Sequence, residues 1–438
     1  RIDDDESLSR VVHAEDDRHA RAIHAAVREV FEETGVVCAE GQLPSDEALH
    51  EARVKILANK LDFDTILDQA DLTIVADRFV HAGSWVTPGN NPIRFDTRYY
   101  LYEHDSRQQE RLIEGEMTAL DWLTPAQARR LWHDGVVDLP GPVAHTLQHL
   151  AMVPLPESLE LLRRPNDRYP GVPTRVEWRH GIHWIPLVAK TIPPATHTNC
   201  IVVGERDLYV IDPGSDDEAE LEFLFSQLDH MVALGGRIKA ILLTHSHIDH
   251  VAGVPRTRQR YEAPIWAHEA VKGDVDFEID REIRDDDLIT VEGDPDWRLR
   301  AMHTPGHDPG HLCFMEETTR TLIAGDMVAN PGTIVVSRSF KGDMGHFMDS
   351  LKRLVPLDTD LLIPSHGHPL REARQWLEEN IRHREWREDK VKEALESEGP
   401  DFEAVLKRAY DDVPPAALPF AEHSLDAILH KLGVELAR

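Results

Sequence analysis

Apolar positions along the chain follow three rhythms. Between 15 and 31 they recur as Ile23, Val27, Val30 and Phe31, the spacing of one helical face, and Thr34-Gly35 supplies an end. Arg98-Tyr99-Tyr100-Leu101-Tyr102 reads as a strand. Residues 125–132 read as a short helix with Thr124 as N-cap and Pro125 in the first turn. From 153 to 175 the text VPLPESLELLRRPNDRYPGVPTR is broken by proline and arginine, which predicts a linker. From 176 to 370 short apolar runs alternate with helical stretches, the pattern of α/β layers. Examples are Asn199-Cys200-Ile201-Val202-Val203, Leu208-Tyr209-Val210-Ile211 and Ala240-Ile241-Leu242-Leu243. Residues 371–438 are almost entirely helical in period, and no internal repeat is present.

Length turns this pattern into domains. At roughly 150 residues per core, 438 residues ask for two or three. The rhythm places them at 1–152, 176–370 and 371–438, with 153–175 between the first two. A hydrophobic content of 41% supports packed cores. Lys and Arg number 48 against 79 Asp and Glu, a net charge of −31 that disfavours extended binding to phosphate backbones. No stretch approaches the ~20 apolar residues of a membrane span, so no membrane partner is expected. RIDDDESLSR lacks the apolar core of a secretory signal, and three scattered cysteines form no disulfide framework. A cytoplasmic location is the expectation.

Of the 26 histidines, a subset falls in an ordered pattern. The apolar run Ala240–Leu243 leads into Thr244-His245-Ser246-His247-Ile248-Asp249-His250. His245 and His247, two apart, point the same way on extended chain. Asp249 and His250 stand where the chain turns into a helix and face a second point. His307, Asp326 and His366 each follow another apolar strand, in Thr304-Pro305-Gly306-His307, Ala324-Gly325-Asp326 and Pro364-Ser365-His366-Gly367. Neutral imidazoles with carboxylates suit zinc, and also manganese or iron. Seven such donors, one shared, predict two divalent metal sites side by side, able to activate a hydroxide and clamp a tetrahedral intermediate. His303, His311 and His368 lie near these motifs but outside the pattern and are read as supporting or surface residues.

With these motifs in place, 176–370 resembles the metallo-β-lactamase superfamily, which implies an αββα sandwich. The resemblance assigns His245, His247 and His307 to a first metal and Asp249, His250 and His366 to a second, with Asp326 bridging. Thr304-Pro305-Gly306-His307 with Gly310-His311, and the Asp249-His250 pair, resemble the glyoxalase II-like and ribonuclease-like branches. Downstream, Met348-Asp349-Ser350-Leu351-Lys352-Arg353-Leu354 and Ile381-Arg382-His383-Arg384 resemble the β-lactamase-like protein 2 group. That likeness implies a small helical, winged-helix-like domain, with helices at 402–410 and 424–432. Members of the group are single-strand endoribonucleases or polyketide thioesterases. Between Arg371 and Glu393 seven Lys and Arg are matched by seven Asp and Glu, a solvated face and no basic stripe.

The amino-terminal string Arg28-Glu29-Val30-Phe31-Glu32-Glu33-Thr34-Gly35-Val36 puts three carboxylates on one helical turn. It resembles the core of a Nudix box, which implies an α+β domain with Glu29, Glu32 and Glu33 on magnesium. Two departures accompany it: Ala14 and Ala20 stand where Gly and Glu belong. Glu6 takes the Glu position only if 7–27 holds an insertion, and the strands expected before the box are missing. The coenzyme A diphosphatase branch carries such an insertion. It also resembles Trp85-Val86-Thr87-Pro88, Arg94-Phe95-Asp96-Thr97-Arg98 and Gly115-Glu116. A natural chain extending before Arg1 is expected.

The leading reading is a metal-dependent hydrolase acting on a thioester or related small-molecule ester of acyl-CoA type. Water bridging the metals is its nucleophile, and Asp249 orients that water and serves as base. A single-strand endoribonuclease is the alternative. The amino-terminal unit reads either as Nudix-like or as a non-catalytic binding or homodimerisation module.

Overall fold

The computed structural model describes residues 8–86, 95–104, 108, 110–113, 117–163 and 175–436. Glu6, Thr87-Pro88, Arg94, Gly115-Glu116 and 164–174 of the expected linker lie outside the described residues. The chain divides into two compact units, Arg1–Ala126 with His149–Asn166, and Gln127–Gln148 with Asp167–Arg438.

In the first unit the helix Asp17–Thr34 forms where the apolar spacing places it. The Asp16 carboxylate accepts from the His19 amide at 2.7 Å, and Gly35 closes the helix at φ +84°. Ile23, Val27 and Phe31 are fully buried in this unit's core. The described strands form two small pairs: Val11–Val12 parallel to Ile74–Val75, and Phe79–Val86 antiparallel to Asp96–Tyr102. Eight residues of the expected linker are helical. Leu155–Leu162 starts after Pro154, and Pro156 sits in its first turn, where a missing amide proton costs nothing.

The second unit is built on two sheets. The larger runs in the order Arg281–Glu282, Ile265–Ala267, Arg237–Leu242, Asp207–Ile211, His197–Val203, Ile182–Val188, Val176–Arg179. Its strands are parallel from Asp207–Ile211 through Arg281–Glu282 and antiparallel elsewhere. The smaller runs Leu288–Val291, Trp297–His303, Leu312–Glu316, Thr321–Asn330, Leu361–Gly367, with only the last pair parallel.

Strand alternation sorts the side chains into layers. Ile201, Val203, Tyr209 and Ile211 face a core shared with Leu312, Phe314, Ile323 and Ile363 of the other sheet. Cys200, Val202, Leu208 and Val210 face outward onto Leu221, Leu224 and Leu228 of the helix Glu218–Ala233. Cys313, Leu322 and Leu362 face the opposite outer layer. Both faces of each sheet are covered, which is why these strands read as continuous apolar runs. The result is the expected αββα sandwich.

Among described residues 371–436 there are three α-helices, Ala373–Glu398, Phe402–Ala409 and Leu418–Lys431, and no strand, so no wing is present there. The third helix starts earlier than the expected Ser424 because Pro419 fits its first turn. Val391, Phe402, Leu425 and Ile428 share one buried cluster with Met302, Cys313 and Leu351, so these helices extend the outer layer of the smaller sheet. Residues 127–148, expected with the amino-terminal domain, also pack in the second unit. Arg129 there is 2% exposed and forks onto Glu177 at 2.8 and 3.2 Å, and it also donates to Glu205 and to the Ala144 carbonyl. The three cysteines are buried and unpaired. No helix among the described residues is long and apolar enough to cross a membrane.

Candidate metal centre

The parallel strand Arg237–Leu242 lies inside the larger sheet, next to its central strand Asp207–Ile211, and the chain beyond it carries the first four donors. His247 has extended backbone and precedes the single-turn helix Ile248–Val251, which turns Asp249 and His250 toward His366 while the His250 ring stays 3.9 Å from that of His245. His247 Nδ1 lies 3.1 Å from His245 Nε2 and 2.8 Å from His307 Nε2. Beside this triad, His250 Nε2 and His366 Nε2 lie 3.9 and 3.6 Å from the two Asp249 oxygens. Asp326 stands between the groups. Its Oδ1 is 3.6 Å from His250 Nε2 and 3.3 Å from His366 Nε2, while its Oδ2 is 3.3 Å from His307 Nε2. All seven donors from the sequence pattern are therefore brought together.

Neighbouring groups fix the tautomers. His307 Nδ1 donates to the Val335 carbonyl and His366 Nδ1 to the His197 carbonyl, each at 2.9 Å. His250 Nδ1 donates to Asp212 at 2.8 Å. Each Nε2 is left with a lone pair aimed inward. His250 Nε2 and Asp326 Oδ1 are buried with no hydrogen-bond partner. Converging lone pairs and a buried carboxylate oxygen repel one another unless a cation sits among them, so the residues fit divalent metal ions.

The electrostatics agree. Burial, reinforced by neighbouring imidazoles, holds His245 well below the ordinary histidine range. Burial and His307 push His247 to about 4, so both rings are neutral and ready to ligate. Burial opposes charge on His250 too, yet Asp249, Asp326 and Asp212 raise it to about 10. The carboxylates thus demand positive charge at the second group.

Four supporting residues escape the sequence pattern. Asp212, at φ +50° after the strand Asp207–Ile211, accepts from the Thr244 amide and hydroxyl as well as from His250. Thr244 in turn holds His245 Nδ1 at 2.9 Å. Asn199 donates to the Pro364 and Gly367 carbonyls, clamping the turn that presents His366. His311 is buried and accepts the Asp326 amide at 2.9 Å. Gly325 has φ +53°, and a Cβ there would lie 2.4 Å from His311 Nε2, so only glycine lets Asp326 reach its place. Of the other two nearby histidines, His303 stacks on His268 at 4.1 Å, and His368 lies 6.0 Å from Trp184. The Asp212 network yields a prediction. Asp212→Asn removes one acceptor from His250, and metal affinity by equilibrium dialysis should fall about 10- to 100-fold.

The amino-terminal carboxylates are arranged differently. Arg28 reaches Glu29 at 2.7 Å and Glu32 at 2.8 Å. Buried Arg53 takes the Glu32 and Glu33 carbonyls at the end of the same helix, at 2.8 and 2.6 Å. Among the described residues, the groups whose donors converge closely enough for an ion do not include Glu29, Glu32 or Glu33.

Residues 193–366 match the family model described as the metallo-beta-lactamase superfamily. A protein of Aspergillus niger described as lactamase-like protein adaB is 35% identical over 200 residues, covering 45% of this chain and 59% of that protein. An atrochrysone carboxyl ACP thioesterase of Aspergillus fumigatus is 31% identical over 203 residues, 46% of this chain and 60% of that protein. The chain thus spans less than two thirds of the length of these curated relatives. A beta-lactamase domain protein from Burkholderia ambifaria superposes with a TM-score of 0.51 at 20% identity, covering 61% of this chain and 90% of that one, a likeness of fold.

Proposed function

We propose that the metallo-β-lactamase superfamily hydrolase within the second unit holds two divalent metals and hydrolyses thioesters in which an acyl group is carried on a coenzyme A-type or carrier-protein thiol. The observation that supports two metals is the Asp326 carboxylate, whose oxygens face different donor groups. Thioester chemistry is favoured by the relative named as an acyl-carrier-protein thioesterase. His245, His247 and His307 would hold one metal, Asp249, His250 and His366 the other, and Asp326 both. Bound there, such ions supply Lewis-acid charge and lower the pKa of a water molecule. Asp249 orients the attacking water and accepts its proton. The water oxygen bonds to the thioester carbonyl carbon, the carbon–sulfur bond breaks, and the thiolate leaves and is protonated. Asp212 and His311 hold His250 and Asp326 still while this happens. Incubation of the full chain with acyl-CoA thioesters and a thiol-detecting dye, with and without chelation, tests the reading.

RNA cleavage is less well supported. Arg384 and Arg387, two of the seven cations in the 371–393 segment, are buried, and Arg387 pairs with Asp412 at 2.7 Å. For the amino-terminal unit, Arg28 between Glu29 and Glu32 favours the non-catalytic module over magnesium chemistry. Isothermal titration should find no magnesium binding that depends on Glu32. Saturable binding abolished by Glu32→Gln would restore the Nudix-like reading.

A further inference from the structure

Two large apolar side chains stand exposed next to residues of the metal centre. Phe340 is 58% exposed, and its ring lies 5.7 Å from that of His247 at 72°. Ile248, 57% exposed, sits between His247 and Asp249 in the chain.

The segment bearing Phe340 is held from several directions. Its Val335 carbonyl accepts from His307, and the Ile334 carbonyl accepts from Arg384 of the helix Ala373–Glu398. Ser337 pairs with His423 of the helix Leu418–Lys431 at 3.0 Å, and Arg338 lies 3.6 Å from Asp426 of the same helix. The Asp343 amide donates to the Gly306 carbonyl at 2.8 Å. Lys341 closes the turn Arg338–Phe340 at φ +63° and pairs with Asp274. The segment is thus held on both sides of Phe340, whose ring also lies 6.4 Å from that of His423.

Two rings at near right angles and this spacing form a corner that a flat group fills, stacking on one and meeting the other edge-on. We propose that Phe340 is a specificity-determining residue that receives the acyl arm of the substrate and selects flat, aromatic acyl groups over short aliphatic ones. His423 serves as a positioning residue for it. The inference rests on the thioesterase reading and deepens it.

The test compares benzoyl-CoA with acetyl-CoA on the metal-loaded full chain. Phe340→Ala should raise KM for benzoyl-CoA about tenfold, the worth of one aromatic contact, and change acetyl-CoA turnover less than about twofold. Phe340→Leu should fall between, and His423→Ala should shift selectivity the same way with metal content unchanged. Equal losses on both substrates would overturn the proposal. So would a loss that follows the thiol when benzoyl is moved from CoA to a short thiol. If the unaltered protein turns over neither thioester, the thioesterase reading fails instead. Calorimetric binding of benzoate against acetate then decides the corner: a preference abolished by Phe340→Ala supports it, and equal binding overturns it.

Discussion

Replacing His247 and Asp249 together by alanine is expected to lower thioester turnover about a thousandfold or more. Several kcal/mol of transition-state charge stabilisation disappears with the metals, and each tenfold in rate is about 1.4 kcal/mol. The double variant removes one donor from each group, since His247 belongs to the triad with His245 and His307, and Asp249 faces His250 and His366. Single variants should cost nearly as much, because groups that act as a unit lose function together. Unchanged circular dichroism with turnover retained would remove the metal mechanism. The substitutions lie beyond the strand end and outside the apolar clusters, so folding should survive them.

Arg129→Ala carries the largest stability effect. The guanidinium holds Glu177 and Glu205, all three within a tenth of full burial. Two carboxylates left without their cation in that setting should cost about 3–5 kcal/mol. Burial by itself would raise the Glu177 carboxyl, but Arg129 and His183 hold it down at about 2. Glu177 also accepts the Gly181 amide at 2.8 Å, so the turn between the strands Val176–Arg179 and Ile182–Val188 should loosen as well. Urea denaturation followed by tryptophan fluorescence measures the loss. Arg320→Ala, which breaks exposed pairs to Asp358 and Asp360, should change the midpoint little. Arg129→Ala no worse than Arg320→Ala would show that the buried network does not hold 127–148 in place.

The contrast between these two sites explains what the amino-acid text reveals. The seven donors span 245 to 366, yet each follows an apolar run in the sequence, and the chemistry of converging histidines and aspartates is rare enough to recognise. Asp326 and His366, however, lie within the strands Thr321–Asn330 and Leu361–Gly367 instead of beyond them. Donors that follow inner strands of two packed sheets come within reach of one another at one edge of the sandwich, so local order points to the assembly. Asp212 is different. It is one of many aspartates, and its place opposite Thr244 and His250 follows from the pairing of Asp207–Ile211 with Arg237–Leu242, which no local signal announces. Arg129 is the same case on a larger scale. Its helix is legible from Thr124-Pro125, but its partners lie 48 and 76 residues away, Glu177 on the strand Val176–Arg179 and Glu205 in the turn before Asp207–Ile211. Proline misled at Pro156, which marks a first turn where the sequence reads as a break. The winged-helix expectation rested on resemblance alone, and the helices it concerned instead share the buried cluster of the smaller sheet.

Those helices also matter for the site, since Arg384 and His423 hold the segment that presents Phe340 beside His247. Everything proposed for catalysis, however, depends on metals held between the two donor groups. The direct measurement is thiol release from an acyl-CoA thioester by chelator-stripped protein titrated with zinc or manganese. The account predicts no turnover in the stripped protein and a rise that reaches its plateau at two equivalents of metal per chain. Full turnover without metal, or a plateau at one equivalent, would contradict it.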